Sequence, residues 1–141
     1  MLTNAFDIKL VRSDDGDGLV GFEASTRNGQ FSGVAAWWGY VSDLLPLADA
    51  LKGFLKEFDE KVALQFTENC VLVFECIDRL GRVIVKASLS TNPDSLPFYE
   101  PNQTVVLTFA TEAAAIDEFA SNLSAFGQDK AQAASLSGTA P

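Results

Sequence analysis

The chain of 141 residues carries 19 acidic and 10 basic side chains, a net charge of −9, and no histidine. That balance argues against nucleic acid or an anionic membrane as partner, because no stripe of Lys or Arg offsets the long-range repulsion. A hydrophobic fraction of 48% with eleven phenylalanines is enough for one core, so a single folded domain over 1–127 is expected.

Phe6, Ile8 and Leu10 alternate with Asp7 and Lys9, the pattern of a half-buried strand. The acidic, glycine-containing run from Ser13 to Gly18 breaks it, and Leu19 to Thr26 reads as a second strand with Val20, Phe22 and Ala24 on one face. Asn28-Gly29 then marks a hairpin turn. It leads into Gln30 to Tyr40, which is apolar on both alternating faces and holds both tryptophans, and this stretch is read as the central strand. Phe31, Gly33, Ala35 and Trp37 share one face; Val34, Ala36, Trp38 and Tyr40 share the other. The parity of the first set with the small Gly33 and Ala35 places Trp37 in the core and Trp38 nearer the surface.

After Tyr40 the apolar period changes from two to about 3.6. Ser42 is the candidate cap of a helix whose stripe is Leu44, Leu47, Ala48, Leu51, Leu55 and Phe58, with Pro46 in or at its first turn. Val62, Leu64 and Phe66 read as a short strand, and Cys70 to Ile77 as a nearly continuous apolar strand near the sheet centre. Asp78 to Gly81 turns the chain into a strand from Arg82 to Leu89. Three prolines between Thr91 and Asn102 argue against regular structure there. Gln103 to Phe109 resumes strand character, and Thr111 is the expected cap of a second helix with Ile116, Phe119, Ala120, Leu123 and Phe126 on its inner stripe, ending at Gly127. Residues 128–141 lack a sustained apolar face and are expected to form a disordered tail.

The sum is an α+β fold: a curved, mostly antiparallel sheet of about seven strands with two helices on one face. Both halves run strands and then a helix, which fits either an internal duplication or the ordinary alternation of an antiparallel α+β domain. Cys70 and Cys76 lie six residues apart with the same parity in one strand, about 20 Å, too far to bond each other. Two unpaired thiols suggest a reducing compartment. The N-terminus lacks a basic segment followed by an apolar run, and no stretch approaches the roughly 18 apolar residues of a membrane span, so the cytoplasm is the expected location.

The absence of histidine removes Ser-His-Asp and Cys-His nucleophiles, imidazole bases and most catalytic zinc sites. Ser13, Asp15 and Asp17 with Gly18 match the first half of a calcium loop, but Ala24 stands where a bidentate Glu is needed and Glu23 misses by one, so a solvated hairpin loop is the better reading. No glycine-rich phosphate loop opens a helix, and no cofactor is expected. Glu75, among apolar neighbours, is the isolated carboxylate of interest, either catalytic with a raised pKa or on the less buried face near Lys86 or Arg82. Candidate partner-binding residues are Trp38 and Tyr40, the loop aromatics Phe98 and Tyr99, and the acidic Asp14, Asp15 and Asp17.

The N-terminal strand, Phe31-Ser32-Gly33 leading into Trp37, Ser42-Asp43-Leu44 opening a helix, Asp78 and Gly81 in a hairpin, and the closing Thr-Glu helix together resemble small bacterial immunity proteins of polymorphic-toxin systems, of the kind paired with wall-associated toxins. The resemblance covers most of residues 6–126. It implies a non-enzymatic protein that binds and blocks a toxin domain. With the charge of −9 it points to a basic protein partner. Two other readings stand beside it: a secretion-chaperone-like effector binder, for which a homodimer would count, and a small-ligand protein or enzyme with a pocket on the sheet.

Overall fold

The computed structural model describes residues 4–12, 16–57, 61–78, 80–90 and 103–139. In chain order these form β1 (Ala5–Arg12), β2 (Val20–Asn28), β3 (Phe31–Gly39), a 3₁₀ turn (Val41–Asp43), α1 (Leu44–Glu57), β4 (Lys61–Thr67), β5 (Cys70–Cys76), β6 (Arg82–Ser90), β7 (Thr104–Glu112), α2 (Ala113–Gly127) and β8 (Ala133–Ser137). The α+β class, the antiparallel pairing and the two helices agree with the reading of the sequence. Among the described residues the strands number eight, however, and sort into two four-stranded sheets, ordered β3-β2-β1-β8 and β4-β5-β6-β7.

Each strand obeys the period of two. Phe6 and Ile8 of β1, Val20, Phe22 and Ala24 of β2, Ala35 and Trp37 of β3, and Ala134 and Leu136 of β8 are buried and form the inner face of the first sheet. Leu64, then Cys70, Leu72 and Phe74, then Val83, Val85, Ala87 and Leu89, then Leu107 and Phe109 do the same for the second. Two sheets with one buried face each need something between them, and the helices supply part of it. Ile116, Phe119, Ala120, Leu123 and Phe126 of α2 are all buried, as its periodicity predicts. In α1 the buried residues are Leu44, Ala48, Leu51 and Phe54. Phe54 therefore joins the expected stripe, while Phe58 falls outside the described residues.

The helices pack on each other, with α2 against β8 and α1 against β4. They thus close the gap between the far edges of the two sheets. On the opposite side β7 runs across the end of the first sheet. Val105 meets Gly33 at the start of β3, the Thr108 carbonyl accepts a bond from Asn28 Nδ2 in the β2–β3 hairpin, and the Ala110 carbonyl accepts one from the Thr139 amide at 2.8 Å. Thr111 Oγ1 donates to the Ser137 carbonyl at 2.7 Å. Successive β7 residues therefore visit successive strands of the other sheet, the signature of crossing rather than aligned layers.

Five expectations are corrected. Gln30 to Tyr40 is an edge strand, not a central one: among the described residues β3 pairs only with β2, and Val34 and Trp38 on its outer face are exposed. Phe31, expected on the core side with Trp37, is 71% exposed, because it opens the strand beside the turn, beyond the reach of the core. Residues 128–141 are not wholly a disordered tail, since Ala133–Ser137 pairs with β1 in register Phe6↔Leu136 and Ile8↔Ala134. Thr111 does not cap α2; its hydroxyl is spent on Ser137, and Glu112 occupies the N-cap without a side-chain bond. At α1 the 3₁₀ turn precedes the helix, and Asp43 Oδ2 accepts from the Tyr40 amide at 3.0 Å, a role expected of Ser42.

The turns follow their local chemistry. Gly29 takes φ +62° in the two-residue connection between Asn28 and Phe31. Asp78 accepts from the Leu80 amide at 2.8 Å and from Arg82 Nε at 2.5 Å. Its carboxyl is drawn below the usual carboxylate range: desolvation, which would raise it, is outweighed by these bonds and by the Arg82 charge. Both cysteines are free. Burial pushes the Cys70 thiol up to about 12, so it stays a neutral apolar filler.

A Cβ added to Gly33 would lie 2.1 Å from Val105 Cγ1 and 3.3 Å from its Cβ, and the β-branched valine has little freedom to turn away. Gly33→Ala is expected to destabilise by about 1–3 kcal/mol in urea unfolding. Val105→Ala in the same chain should restore much of that loss, a coupling that a double-mutant cycle reads directly. Leu136, fully buried on β8, should cost about 2–5 kcal/mol when cut to Ala. A truly dispensable tail would show no change.

Candidate partner-binding surface

The inner face of the first sheet is consumed by the core, so any partner must meet its outer face, an edge, or the helices. Trp37 stacks on Phe22 with ring centroids 5.6 Å apart and is 8% exposed, whereas Trp38 on the opposite face is 52% exposed. The parity argument from the sequence is thereby met. Tyr40, also exposed, follows on the Trp38 side, and its ring lies against Gly18 of the β1–β2 connection, about 3.4 Å from where a Cβ would stand. Asp17, next to Gly18, accepts a bond from the Leu19 amide at 3.0 Å. Trp38, Tyr40 and Asp17 are therefore gathered at one corner of the sheet.

Arg12 and Val11 join them. The β1–β2 register slips between Leu10 and Arg12, so that Arg12 instead of Val11 stands opposite Gly21, which in turn stands opposite Trp38. Gly21 leaves a gap in the outer face, and Arg12 lies across it, its Cβ 3.2 Å from where a Gly21 Cβ would sit. The guanidinium carbon then reaches 5.6 Å from the Trp38 ring centroid, a cation–π geometry. An open concavity of about 450 Å³ lies here, lined by Val11, Arg12, Gly21, Glu23, Ala36 and Trp38 among others. Further toward β8 the face becomes polar and self-paired, with Lys9 Nζ 3.5 Å from Glu23 and Ser135 Oγ donating to Asp7 at 2.5 Å.

The apolar side of this face therefore lies along β3, where Val34 is also exposed. Val34 lies on the face that strand parity gives it with Trp38, whereas nothing in the sequence places Arg12 and Val11 beside that tryptophan. A bulge leaves no local composition signal, and only the isolated Gly21 amid alternating residues hinted at a close approach. Asp14 and Asp15, and the loop aromatics Phe98 and Tyr99, lie outside the described residues. Glu75 is exposed on the outer face of the second sheet, opposite Lys61 and Ile84, with no second carboxylate facing it across either neighbouring strand. Among the described residues no three His, Cys, Asp or Glu side chains converge as a metal-binding group, and no helix is long and apolar enough to cross a membrane.

A family model for the immunity protein WapI-like family matches residues 2–128. The chain belongs to that family. The match runs from before β1 to just past the end of α2, so it takes in β1 to β7 and both helices and stops before β8. Membership in the WapI-like family agrees with the resemblance seen in the sequence and suggests a toxin-neutralising, protein-binding role. A search of curated proteins finds no match.

In this WapI-like fold the Arg12–Trp38 contact should hold the indole in place. Arg12→Ala is expected to increase acrylamide quenching of Trp38, read against a Trp38→Phe control, and to cost about 0.5–1 kcal/mol or less of stability. Gly21→Val, which leaves no room for the Arg12 stem, should reproduce the quenching. Unchanged quenching in both variants would mean that the contact does not order Trp38.

Proposed function

We propose that this protein is a non-enzymatic immunity protein that binds a toxin domain through the Trp38 corner of the first sheet and occludes the toxin's active site. The observation that carries the reading is an exposed tryptophan with the Arg12 guanidinium over its ring, beside a concavity, in a member of an immunity family. Large aromatics with polar tips dominate binding energy, and a side chain held in place before binding loses less freedom on complex formation. Tyr40 extends the patch, and Asp17 places a carboxylate at its rim.

The partner in this reading is basic. A net charge of −9 draws a cationic domain from a distance, while the contact itself is made by Trp38 and its neighbours. The two unpaired thiols fit action in the cytoplasm of the producing cell. The purified chain is expected to bind the toxin domain encoded beside its own gene and to abolish that toxin's activity, with affinity falling as salt is raised. Trp38→Ala should weaken binding by about 2 kcal/mol, roughly 30-fold, without unfolding the protein. Isothermal titration with the two purified proteins measures this. Full-strength binding by the variant would remove the Trp38 corner from the interface, and failure to bind any adjacent toxin domain would remove the reading itself.

A further inference from the structure

Beyond the Trp38 corner, the outer face of the first sheet holds two further depressions. One of about 300 Å³ lies over Asp7, Lys9, Glu23 and Ser135, and one of about 160 Å³ lies beside Arg27, Ser32 and Val34. The concavity at Trp38 shares Glu23 with the first, and the first shares Asp7 and Ser25 with the second, so the three form one trough along β2. It is open because the outward residues Ala5, Ser25, Ser32 and Ala36 are small and Gly21 has no side chain. Arg12 stands opposite Gly21 at one end, and Arg27 closes the other end, six residues along β2 and about 20 Å away.

The charges in this trough are unevenly matched. Glu23 lies 3.5 Å from Lys9 Nζ, Asp7 accepts from Ser135 Oγ at 2.5 Å, and Asp17 at the rim accepts from the Leu19 amide at 3.0 Å. Each carboxylate is thus engaged. Among the described residues neither arginine forms an ion pair: the Arg12 guanidinium lies over the Trp38 ring, and Arg27 is exposed between Ala5 and Ser32 on the neighbouring strands. A guanidinium presents its N–H donors as a planar fork that fits a carboxylate, and contact with an aromatic ring uses its charge without consuming those donors. The unmatched groups of this face are therefore cationic, in a chain whose net charge is −9.

We propose that Arg12 and Arg27 are specificity-determining residues for the toxin, and that the toxin segment lying in the trough is acidic, with a carboxylate on each arginine and an apolar side chain against Trp38. This rests on the toxin-binding reading of the Trp38 corner and sharpens it. The toxin's cationic charge acts at long range on the whole chain, while the strip laid on the sheet has the opposite sign. A basic strip would press further cations against arginines that have no counter-ion, a juxtaposition that lowers affinity and rejects wrong partners. A strip with a carboxylate at one end alone would strip water from the other arginine without replacing its hydrogen bonds, so both ends of the trough select the partner.

Titration of the toxin domain encoded beside the gene against the full chain and its variants tests the sign of the strip. Arg27 is the cleaner position, being about 20 Å from Trp38 along β2. Arg27→Gln should weaken binding about tenfold and Arg27→Glu more, whereas Lys52→Gln, the same change in net charge at an exposed position of α1, should bind at least as well as the wild type. Tighter binding by Arg27→Gln would place a basic strip there and overturn the proposal. Unchanged affinity in both Arg27 variants, or an equal loss in Lys52→Gln, overturns it as well. If Trp38→Ala still weakens binding in those cases, the corner reading stands and only the acidic strip falls; a wild-type chain that binds no adjacent toxin domain removes both. Light scattering addresses the other occupant: a wild-type mass of twice 15.1 kDa that Arg27→Glu returns to the single-chain value would give the trough to a second copy and reject the acidic toxin strip. Should the variants not fold, dicarbonyl modification of the wild type decides. Arg12 and Arg27 should be protected in the toxin complex, and an Arg27 that reacts as fast in the complex as in the free chain rejects the proposal.

Discussion

The rest of the structure depends on one cluster of aromatic rings. Phe6 lies 5.7 Å from Phe66 and 6.0 Å from Phe119, Phe22 lies 5.7 Å from Phe126, and Trp37 is 6.2 Å from Phe66. These contacts join β1, β2 and β3 to β4 and to Phe119 and Phe126 on the inner stripe of α2. Rings in tilted or edge-on contact add to the burial of their large apolar surfaces, by about 0.5–1.5 kcal/mol per pair. Because the cluster uses only one face of the first sheet, it also determines what remains. Trp37 must point in, so its neighbour Trp38 must point out.

The second constraint is the crossing of β7 over the end of the first sheet. Gly33 admits Val105, and the buried hydroxyls of Thr26 and Thr111 donate to the carbonyls of Ala5 and Ser137, near that same end. No buried side-chain nitrogen or oxygen among the described residues lacks a partner, so the junction is closed without an uncompensated polar group. β7 closes this side and the helices the far side, and among the described residues β3 is the outer strand of the first sheet. The feature of functional interest, the Trp38 corner, is thus a consequence of how the core is closed.

Net charge and local surface carry different information here. The chain is acidic, yet the corner around Trp38 is apolar with an arginine laid over the indole, and neighbouring charges on the sheet are paired. A charge of −9 acts over distances comparable to the screening length and speeds encounter with a cationic protein. Close packing and desolvation at the aromatic patch decide how long the encounter lasts.

Much of the fold was legible because it is written in local periods: the alternation in Phe6 to Leu10 and in Arg82 to Leu89, the inner stripe of α2, and the opposed tryptophans. These follow from backbone geometry that each segment carries by itself. Strand order does not. An apolar run such as Phe31 to Gly39 looks central in isolation, and only the pairing of β1 with β8 on one side and the crossing of β7 on the other made it an edge. The short, small-residue segment Ala133–Ser137 is not a strand by its own propensity. It becomes one because Leu136 and Ala134 complete the inner face beside Phe6 and Ile8. Likewise the Trp38 side was determined by sequence parity, but its Arg12 partner came from a bulge, a register slip that only the paired strands could specify.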